Sequence, residues 1–269
     1  MKLNQSKCHA MVSSRSSQLH RFKVGEQVIW ESQHEKLLGV TIDNDLKFEL
    51  HLSNICKKSS AKLTALGRLV KIIPMEKKKI LMNSFIQSQF SYCPLVWMFY
   101  NKAFTKKINR IHERGLRMVY RDYESSFQEL LLKDGSVCIH HRNIQLVAVE
   151  MYKVKHDLCP EIMKELFQFD ENPESSNVFI RPRVYSVYKG EWSLRWFGPT
   201  VWDKMLPENY KKIENLENFK EDIKKWTPEN CPCKTCKEFT HGVGYLNVVE
   251  YKKILILSVQ IMSKLFSVD

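Results

Sequence analysis

Residues 36–69 read KLLGVTIDNDLKFELHLSNICKKSSAKLTALGRL, and within them a strand-like run is followed by apolar residues at helical spacing. The run KLLGVTID is apolar and β-branched, and it ends at the polar sequence Asp43-Asn44-Asp45, which is typical of a turn. Apolar residues then recur at helical spacing, at Leu52, Ile55, Leu63, Leu66 and Val70. Four cations lie away from that apolar face: Lys57, Lys58, Lys62 and Arg68. The stretch therefore predicts a strand, a turn and a long basic helix that Pro74 closes.

The flanking sequence predicts an α+β protein that is mostly helical, with a small antiparallel β portion near the N-terminus. CHAMVSS, which begins at Cys8, suits one strand, and FKVGEQVIW suits a hairpin that turns at Gly25. The aromatic residues Trp192, Trp196, Phe197 and Trp202 are interpreted as a packed core patch, and residues 170–190 as a polar loop. Further helices are predicted at Met75 to about Phe90, Ser126–Leu132, Cys138–Leu158, Pro160–Phe167 and Leu216–Trp226.

Positive charge is concentrated in one block of the chain. The whole sequence carries a formal net charge of +12, whereas residues 56–121 alone contain fifteen Lys and Arg against two acids, a net +13. Concentrated charge of one sign builds a local field for a polyanion. The alternative is a solvated, lysine-rich surface.

The clearest amphipathic pattern in the block is the segment from Phe104 to Arg121. Its apolar residues (Phe104, Ile108, Ile111, Met118 and Val119) cluster on one side of a helix. Five cations fall within a stripe of roughly 80° on the other side: Lys106, Arg110, Arg114, Arg117 and Arg121. Because a solvated face usually mixes charges of both signs, the stripe favours binding to nucleic-acid phosphates.

Length and composition bound the remaining possibilities. A chain of 269 residues with 43% hydrophobic residues can bury a substantial core in one or two domains. The opening residues lack the apolar run of a secretory signal, and the apolar stretch Ile254–Phe266 is too short to span a bilayer. Most of the eight cysteines are dispersed, as expected where thiols stay reduced. We expect no membrane partner and a cytoplasmic or nuclear location.

A cysteine cluster near the C-terminus suggests a structural zinc site. CPCKTCKEFTH places Cys231, Cys233, Cys236 and His241 at the spacing C-x-C-x2-C-x4-H. Thiolates and an imidazole in such close sequence can complete a tetrahedral site. The C-x-C start departs from common zinc ribbons, so zinc binding and a reduced, metal-free turn both stay open.

Several motifs resemble one known family. Residues 36–69 resemble the segment that follows the catalytic palm in reverse transcriptases of jockey-like non-LTR retrotransposons. The upstream run MKLNQSKCHAMV and the downstream runs LMNSFIQSQFSYCPLVW, IHERGLRMVY and GPTVWDKMLP are similar to the same family, so that the resemblance covers about residues 1–245. The positions that carry the central match are Leu38, Gly39, Val40, Asp43, Leu46, Phe48 and His51.

The resemblance implies a separate role for each region of the chain. Residues 1–47 would end the palm, 48–121 would form a basic thumb-like region, 122–245 a C-terminal helical region, and 246–269 an unassigned tail. Leu38, Gly39 and Val40 would belong to the primer-grip hairpin. The basic helices would hold RNA and RNA–DNA duplex through phosphates, which sets register without reading bases. The palm and fingers of the parent polyprotein would be the missing protein partner.

The resemblance also implies what this chain does not do. Polymerisation needs two metal ions on a carboxylate cluster that includes an adjacent Asp-Asp pair, and this sequence contains no such pair. Asp43 and Asp45 match the family's turn instead, and His51 matches a helix-start position near the duplex. We therefore expect no catalytic residue here, with catalytic magnesium only in the full-length parent enzyme. A non-catalytic nucleic-acid-binding remnant and a protein-interaction fragment are the alternatives.

Overall fold

The computed structural model describes residues 8–12, 21–172, 174–184 and 193–228. Contacts divide the chain into two compact units, Met1–Asp122 and Tyr123–Asp269. Within the described ranges the fold is α+β and mostly helical, with three two-stranded antiparallel sheets. The predicted fold class is confirmed.

Two hairpins open the first unit. Strands β1 (Arg21–Val24) and β2 (Gln27–Trp30) pair around Gly25, as predicted. Strands β3 (His34–Leu37) and β4 (Val40–Asp43) pair around Leu38 and Gly39, which both have positive φ as in a type I′ turn. The prediction of one strand through KLLGVTID was wrong, because the chain reverses in the middle of that run. In the predicted first strand, Ala10 makes a single bridge to Glu31.

Helices complete the first unit. They are α1 (Glu49–Leu69), α2 (Met75–Leu81), α3 (Ser88–Ser91), α4 (Pro94–Trp97) and α5 (Lys102–Tyr120). A π-helical turn at Met82–Gln87 joins α2 to α3, so that one helical run covers the predicted Met75–Phe90 helix. The predicted apolar face of α1 is buried in full, and the buried side chains of α5 include Ile108, Ile111 and Val119.

The second unit is built mainly of short helices around α7. Its elements in chain order are α6 (Phe127–Asp134), α7 (Ile139–Lys155), α8 (Glu161–Lys164), β5 (Gln168–Phe169), β6 (Phe179–Ile180), α9 (Leu194–Thr200), a π-helical turn at Val201–Met205, α10 (Glu208–Lys211) and α11 (Leu216–Ile223). The prediction of a loop throughout 170–190 was wrong at β6, which pairs with β5. The Asp203 carboxylate fixes this segment by accepting from the backbone N–H groups of Val178 (2.9 Å) and Phe179 (3.3 Å).

Aromatic side chains form the core of the second unit. Tyr152 of α7 lies 4.5 Å from Phe219 and 6.3 Å from Trp202, measured between ring centroids. All three are fully buried, and the Tyr152 hydroxyl donates to the backbone oxygen of Glu214. The predicted aromatic patch is confirmed at Phe197 and Trp202, whereas Trp196 is only half-buried and Trp192 lies outside the described residues. Among the helices of the described ranges, none is long and apolar enough to cross a membrane.

Candidate nucleic-acid interface

Helix α5 has one apolar and one cationic side. Asn101 starts it, because the Asn101 side-chain oxygen accepts from the backbone N–H of Phe104 at 3.1 Å. On the apolar side Ile108, Ile111 and Val119 are buried and Phe104 and Met118 are half-buried. On the other side Lys106, Arg110 and Arg114 are exposed. These three positions are spaced by four residues, so that they follow one another about 6 Å apart along the helix axis.

Helices α1 and α5 run side by side in the same direction. At their first turns, the Asn101 amide nitrogen lies 3.5 Å from a Glu49 carboxylate oxygen. At their ends, Arg121 Nη2 donates to the backbone oxygens of Val70 (3.2 Å) and Lys71 (3.4 Å). The cations of both helices are therefore distributed along the same length of one helix pair.

At Gly115, helix α5 is in close contact with Met82 of the π-helical turn and in ordinary contact with Leu63 of α1. A Cβ added there would lie 2.2 Å from Met82 Cε and 3.7 Å from Leu63 Cδ1. Nearer the N-terminal ends, burial raises the pKa of the Cys56 thiol to about 11, although the ammonium of Lys107 acts in the opposite direction. Lys107 of α5 thus lies near Cys56 of α1, in register with the contacts at either end.

The structure leaves most of the predicted cations exposed. Lys62 is half-buried, while the other predicted cations of α1 and the three of α5 named above face solvent. None of these seven forms an ion pair with another residue in the described ranges. Uncompensated cations on a surface are available to an anionic ligand. The seven are Lys57, Lys58, Lys62, Arg68, Lys106, Arg110 and Arg114.

Arg117 and Arg121 depart from the predicted stripe, because both guanidinium groups bind other groups of the protein. The Arg117 guanidinium pairs with the Glu113 carboxylate at 2.6 Å and is only 20% exposed. It also lies 3.4 Å from the backbone oxygen of Asp122. Arg121 has positive φ at the end of α5 and holds the carboxyl end of α1 through the two bonds given above. The stripe that can face a ligand is therefore shorter than predicted.

The cations of α1 fall on two flanks rather than on one. At about 100° per residue, Lys57 and Arg68 share a direction, and Lys58 and Lys62 share another roughly 110° away. Lys58 lies on the side of His51, whose pKa is lowered by burial first and by the Lys58 charge second. A duplex in contact with one flank therefore cannot use all four equally.

Lys78 is a cation that sequence reasoning missed. It is only 3% exposed, and its pKa is lowered by burial first and by the neighbouring Arg121 guanidinium second. The run Lys77–Lys79 is visible in the sequence, but the sequence does not show which of the three turns inward. Lys78 and Arg121 concentrate positive charge near the ends of α1 and α5.

The predicted primer-grip residues occupy the β3–β4 turn and the strand after it. Leu38 is 83% exposed at the tip, and Val40 is buried. The Tyr92 hydroxyl donates to the Leu38 backbone oxygen, which ties the tip to the helical part of the unit. Gly39 has φ +86°, and a Cβ there would lie 3.3 Å from the Tyr92 ring. The tip is therefore a held turn with one apolar side chain in solvent.

His51 and Asp43 hold the hairpin to α1. The backbone N–H of Thr41 donates to His51 Nδ1 at 3.3 Å, and His51 is 5% exposed. The Asp43 carboxylate is buried and accepts from the backbone N–H groups of Lys47 and Phe48. Asp45 pairs with the Lys47 ammonium at 2.7 Å. The carboxylates of Asp43 and Asp45 serve the turn, as the sequence analysis predicted.

Clusters of possible metal ligands were sought among the described residues. No group of three or more His, Cys, Asp or Glu in these ranges could hold a metal ion. The predicted zinc ligands Cys231, Cys233, Cys236 and His241, like the tail from residue 246, lie outside the described residues.

Comparisons of the chain with protein-family models, with curated proteins and with solved structures found no match. The geometry of the first unit is therefore the main structural support for a function.

Proposed function

We propose that the first unit holds the phosphate backbone of an RNA–DNA or RNA duplex, as the thumb-like part of a non-LTR retrotransposon reverse transcriptase. The observation that carries the proposal is the row of exposed cations at Lys106, Arg110 and Arg114, without acidic partners among the described residues. Such a row matches a ligand with regularly spaced negative charge and adds affinity without base readout. In this proposal the chain acts in the cytoplasm or nucleus and does not polymerise alone.

The parallel arrangement of α1 and α5 supports the same proposal. Both helices carry unpaired cations, and the Asn101–Glu49 contact and the bonds of Arg121 hold them side by side at their two ends. A rigid pair loses little conformational entropy when it meets a stiff duplex. The exposed β3–β4 tip, anchored by Tyr92, would then lie on the same unit as the duplex-holding helices.

The test is duplex binding across a range of salt. The full chain with Lys106, Arg110 and Arg114 changed to Gln is compared with a control in which Lys204, Lys212 and Lys224 are changed to Gln. Both triple variants lose the same charge, and the control positions are exposed residues of the second unit. The probe is a labelled 20-base-pair RNA–DNA duplex, measured by fluorescence anisotropy.

The first variant should weaken binding by roughly a hundredfold at 0.1 M salt, and the slope of log K against log salt should become less negative by about 2 to 3. The control should stay close to the original protein. If both variants lost the same affinity, the loss would be due to net charge and not to the position of the three cations. Binding that is absent or insensitive to salt would favour the protein-interaction fragment instead.

The separate hypothesis of a structural zinc is tested by elemental analysis of protein purified without chelator. About one equivalent is expected if Cys231, Cys233, Cys236 and His241 close a site, and the Cys236→Ser variant should lose it. Metal-free protein would leave a reduced cysteine-rich turn as the interpretation.

A further inference from the structure

One face of the β1–β2 hairpin is more exposed than the other. Cross-strand partners point to the same side of a hairpin, and sides alternate along each strand. Phe22, which is 40% exposed, pairs with Ile29, which is only 8% exposed, so that this pair marks the inner face. Arg21 pairs with Trp30 and Lys23 pairs with Val28, so that these four residues share the outer face.

The outer face combines an exposed aromatic ring with cations. Trp30 is 64% exposed and Val28 is 48% exposed. Arg21 and Lys23 are exposed on the neighbouring strand, about 7 Å apart along it. Within the described ranges neither cation pairs with a carboxylate. Cross-strand side chains start about 5 Å apart, so the indole lies within reach of the Arg21 guanidinium.

This combination favours one kind of ligand. An exposed indole can stack on a nucleobase, and adjacent cations can contact the phosphates that flank that base. A protein partner would bury the apolar area of Trp30 and Val28 but would also have to neutralise two cations. A base inside a duplex cannot reach the ring, because its faces are already stacked. The ligand that satisfies both ring and charges is therefore unpaired nucleic acid.

We propose that the outer face of the β1–β2 hairpin binds single-stranded nucleic acid, with Trp30 stacked on one base and with Arg21 and Lys23 on phosphates. This site is separate from the cations of α1 and α5, and it reads base faces rather than duplex backbone. The first unit then has one surface for paired and another for unpaired nucleotides. The proposal does not depend on the duplex surface being correct.

The experiment uses variants of the full chain that separate stacking from apolar area and from hairpin packing. Trp30→Leu keeps apolar area but removes the ring, and Trp30→Phe keeps a smaller ring. Phe22→Leu is the matched control, because Phe22 is a partly exposed aromatic of the same hairpin on its inner face. The probes are a 12-nucleotide oligouridine, a 12-unit abasic backbone of the same charge, and the RNA–DNA duplex described above.

Trp30→Leu should weaken oligouridine binding on the order of tenfold or more, as loss of one stacked base does. Trp30→Phe should recover most of that affinity, and Phe22→Leu should leave it unchanged. Trp30→Leu should not change binding to the abasic backbone. The Arg21→Gln, Lys23→Gln double variant should weaken binding to both single-stranded probes and make the slope of log K against log salt less negative.

The proposal is overturned if Trp30→Leu stays within twofold of the original protein on oligouridine, or if Phe22→Leu loses as much as Trp30→Leu. It is also overturned if Trp30→Leu weakens the abasic probe equally, since the ring would then act without a base. Duplex binding read in the same series separates the two sites: intact duplex affinity with an inert Trp30 would reject this inference and leave the proposed function standing.

Discussion

The two units of this protein differ in net charge and in how their cations are paired with acids. The first, Met1–Asp122, has 22 basic and 9 acidic residues, a formal +13, whereas the second, Tyr123–Asp269, has 20 and 21, a formal −1. In the second unit lysines pair with acids one helical turn away, as in Lys153–Glu150, Lys211–Glu208 and Lys220–Glu217. In the first unit the exposed cations of α5 have no such partners among the described residues. Mutual repulsion among cations is a cost to folding that a polyanionic ligand would offset.

Each unit has polar anchors and a buried core of its own. In the first, the Asp43 carboxylate, the His51 ring and the Arg121 guanidinium join distant segments, and the core includes Phe90 and Trp97. In the second, the Asp203 carboxylate holds the start of β6, and a buried aromatic cluster surrounds Tyr152, Trp202 and Phe219. Because each unit has its own core, a core change in the second should leave the proposed nucleic-acid binding intact, and changes in the first should alter it.

The largest effect is expected from Trp202→Ala in the second unit. Trp202 is fully buried and contacts Tyr152, Phe179 and Phe219, so its removal should cost about 3–5 kcal/mol. Native-state hydrogen exchange at the amides of α7 measures the loss, and duplex binding is read in parallel. If the variant loses duplex affinity as strongly as it loses protection in α7, the two units do not separate in function.

The next effect concerns the helix pair of the first unit. Gly115→Ala should destabilise it by about 1–3 kcal/mol, because the added Cβ would lie 2.2 Å from the buried Met82 side chain. Gly67→Ala is the control within the same pair: its Cβ would meet only Met118 Cε at 3.4 Å, and alanine favours the helix by up to about 1 kcal/mol. Urea unfolding followed by helix circular dichroism measures both. Equal tolerance of the two substitutions would show that Met82 does not pack closely against α5 at Gly115.

A smaller effect should distinguish the two carboxylates of the β4–α1 turn. Asp43→Asn replaces one of two acceptors for backbone N–H groups and should cost about 1–2 kcal/mol. Asp45→Asn removes an exposed pair with Lys47 and should change the free energy of unfolding by less than about 0.5 kcal/mol. Thermal unfolding of the two variants gives the comparison, and a larger loss at Asp45 would contradict it.

The smallest effect is expected from mild acidification, and it should appear in both units. Burial lowers the pKa of His51 and of His156 below the ordinary 6.5, with Lys58 and Lys155 acting in the same direction. The unfolded chain therefore takes up protons first as the pH falls. Stability from these rings is complete above about 6.5 and decreases as the pH falls from there towards each folded-state pKa.

Urea midpoints at pH 7.5 and pH 5.5 measure this loss. Asparagine at His51 keeps an acceptor for the Thr41 N–H without titrating, so His51→Asn should reduce the pH dependence in the first unit. His156→Gln is the matched variant in the second. An unchanged pH dependence in both variants would assign the effect to other groups.

Periodicity predicted the helices well because their faces bury side chains at a fixed spacing. The apolar faces of α1 and α5, the helical run from Met75 and the aromatic core at Phe197 and Trp202 were all readable from residue type and spacing. The Glu113–Arg117 pair was also readable, since residues four apart on a helix are neighbours. The sequence alone could therefore have predicted that Arg117 is paired and does not belong to the free cations of the stripe.

Other features had little or no local signal. Gly39 was the local sign of the turn that splits KLLGVTID, whereas Leu38 adopts positive φ there, which leucine does not favour. Arg121 binds carbonyls of Val70 and Lys71, some fifty residues away. His51 of α1 accepts from Thr41 of β4, a contact that a position near a helix start does not predict.

The sequence by itself determined the mostly helical α+β class, the amphipathic faces, the block of positive charge and the absence of an adjacent Asp-Asp pair. These depend on which residues are present and on the repeat of a helix, and both are local properties. Only the tertiary structure decided which cations remain free for a ligand and that Trp30 faces solvent beside Arg21 and Lys23. Those facts depend on which distant carbonyl or carboxylate a side chain meets, and chain folding rather than residue spacing sets such meetings.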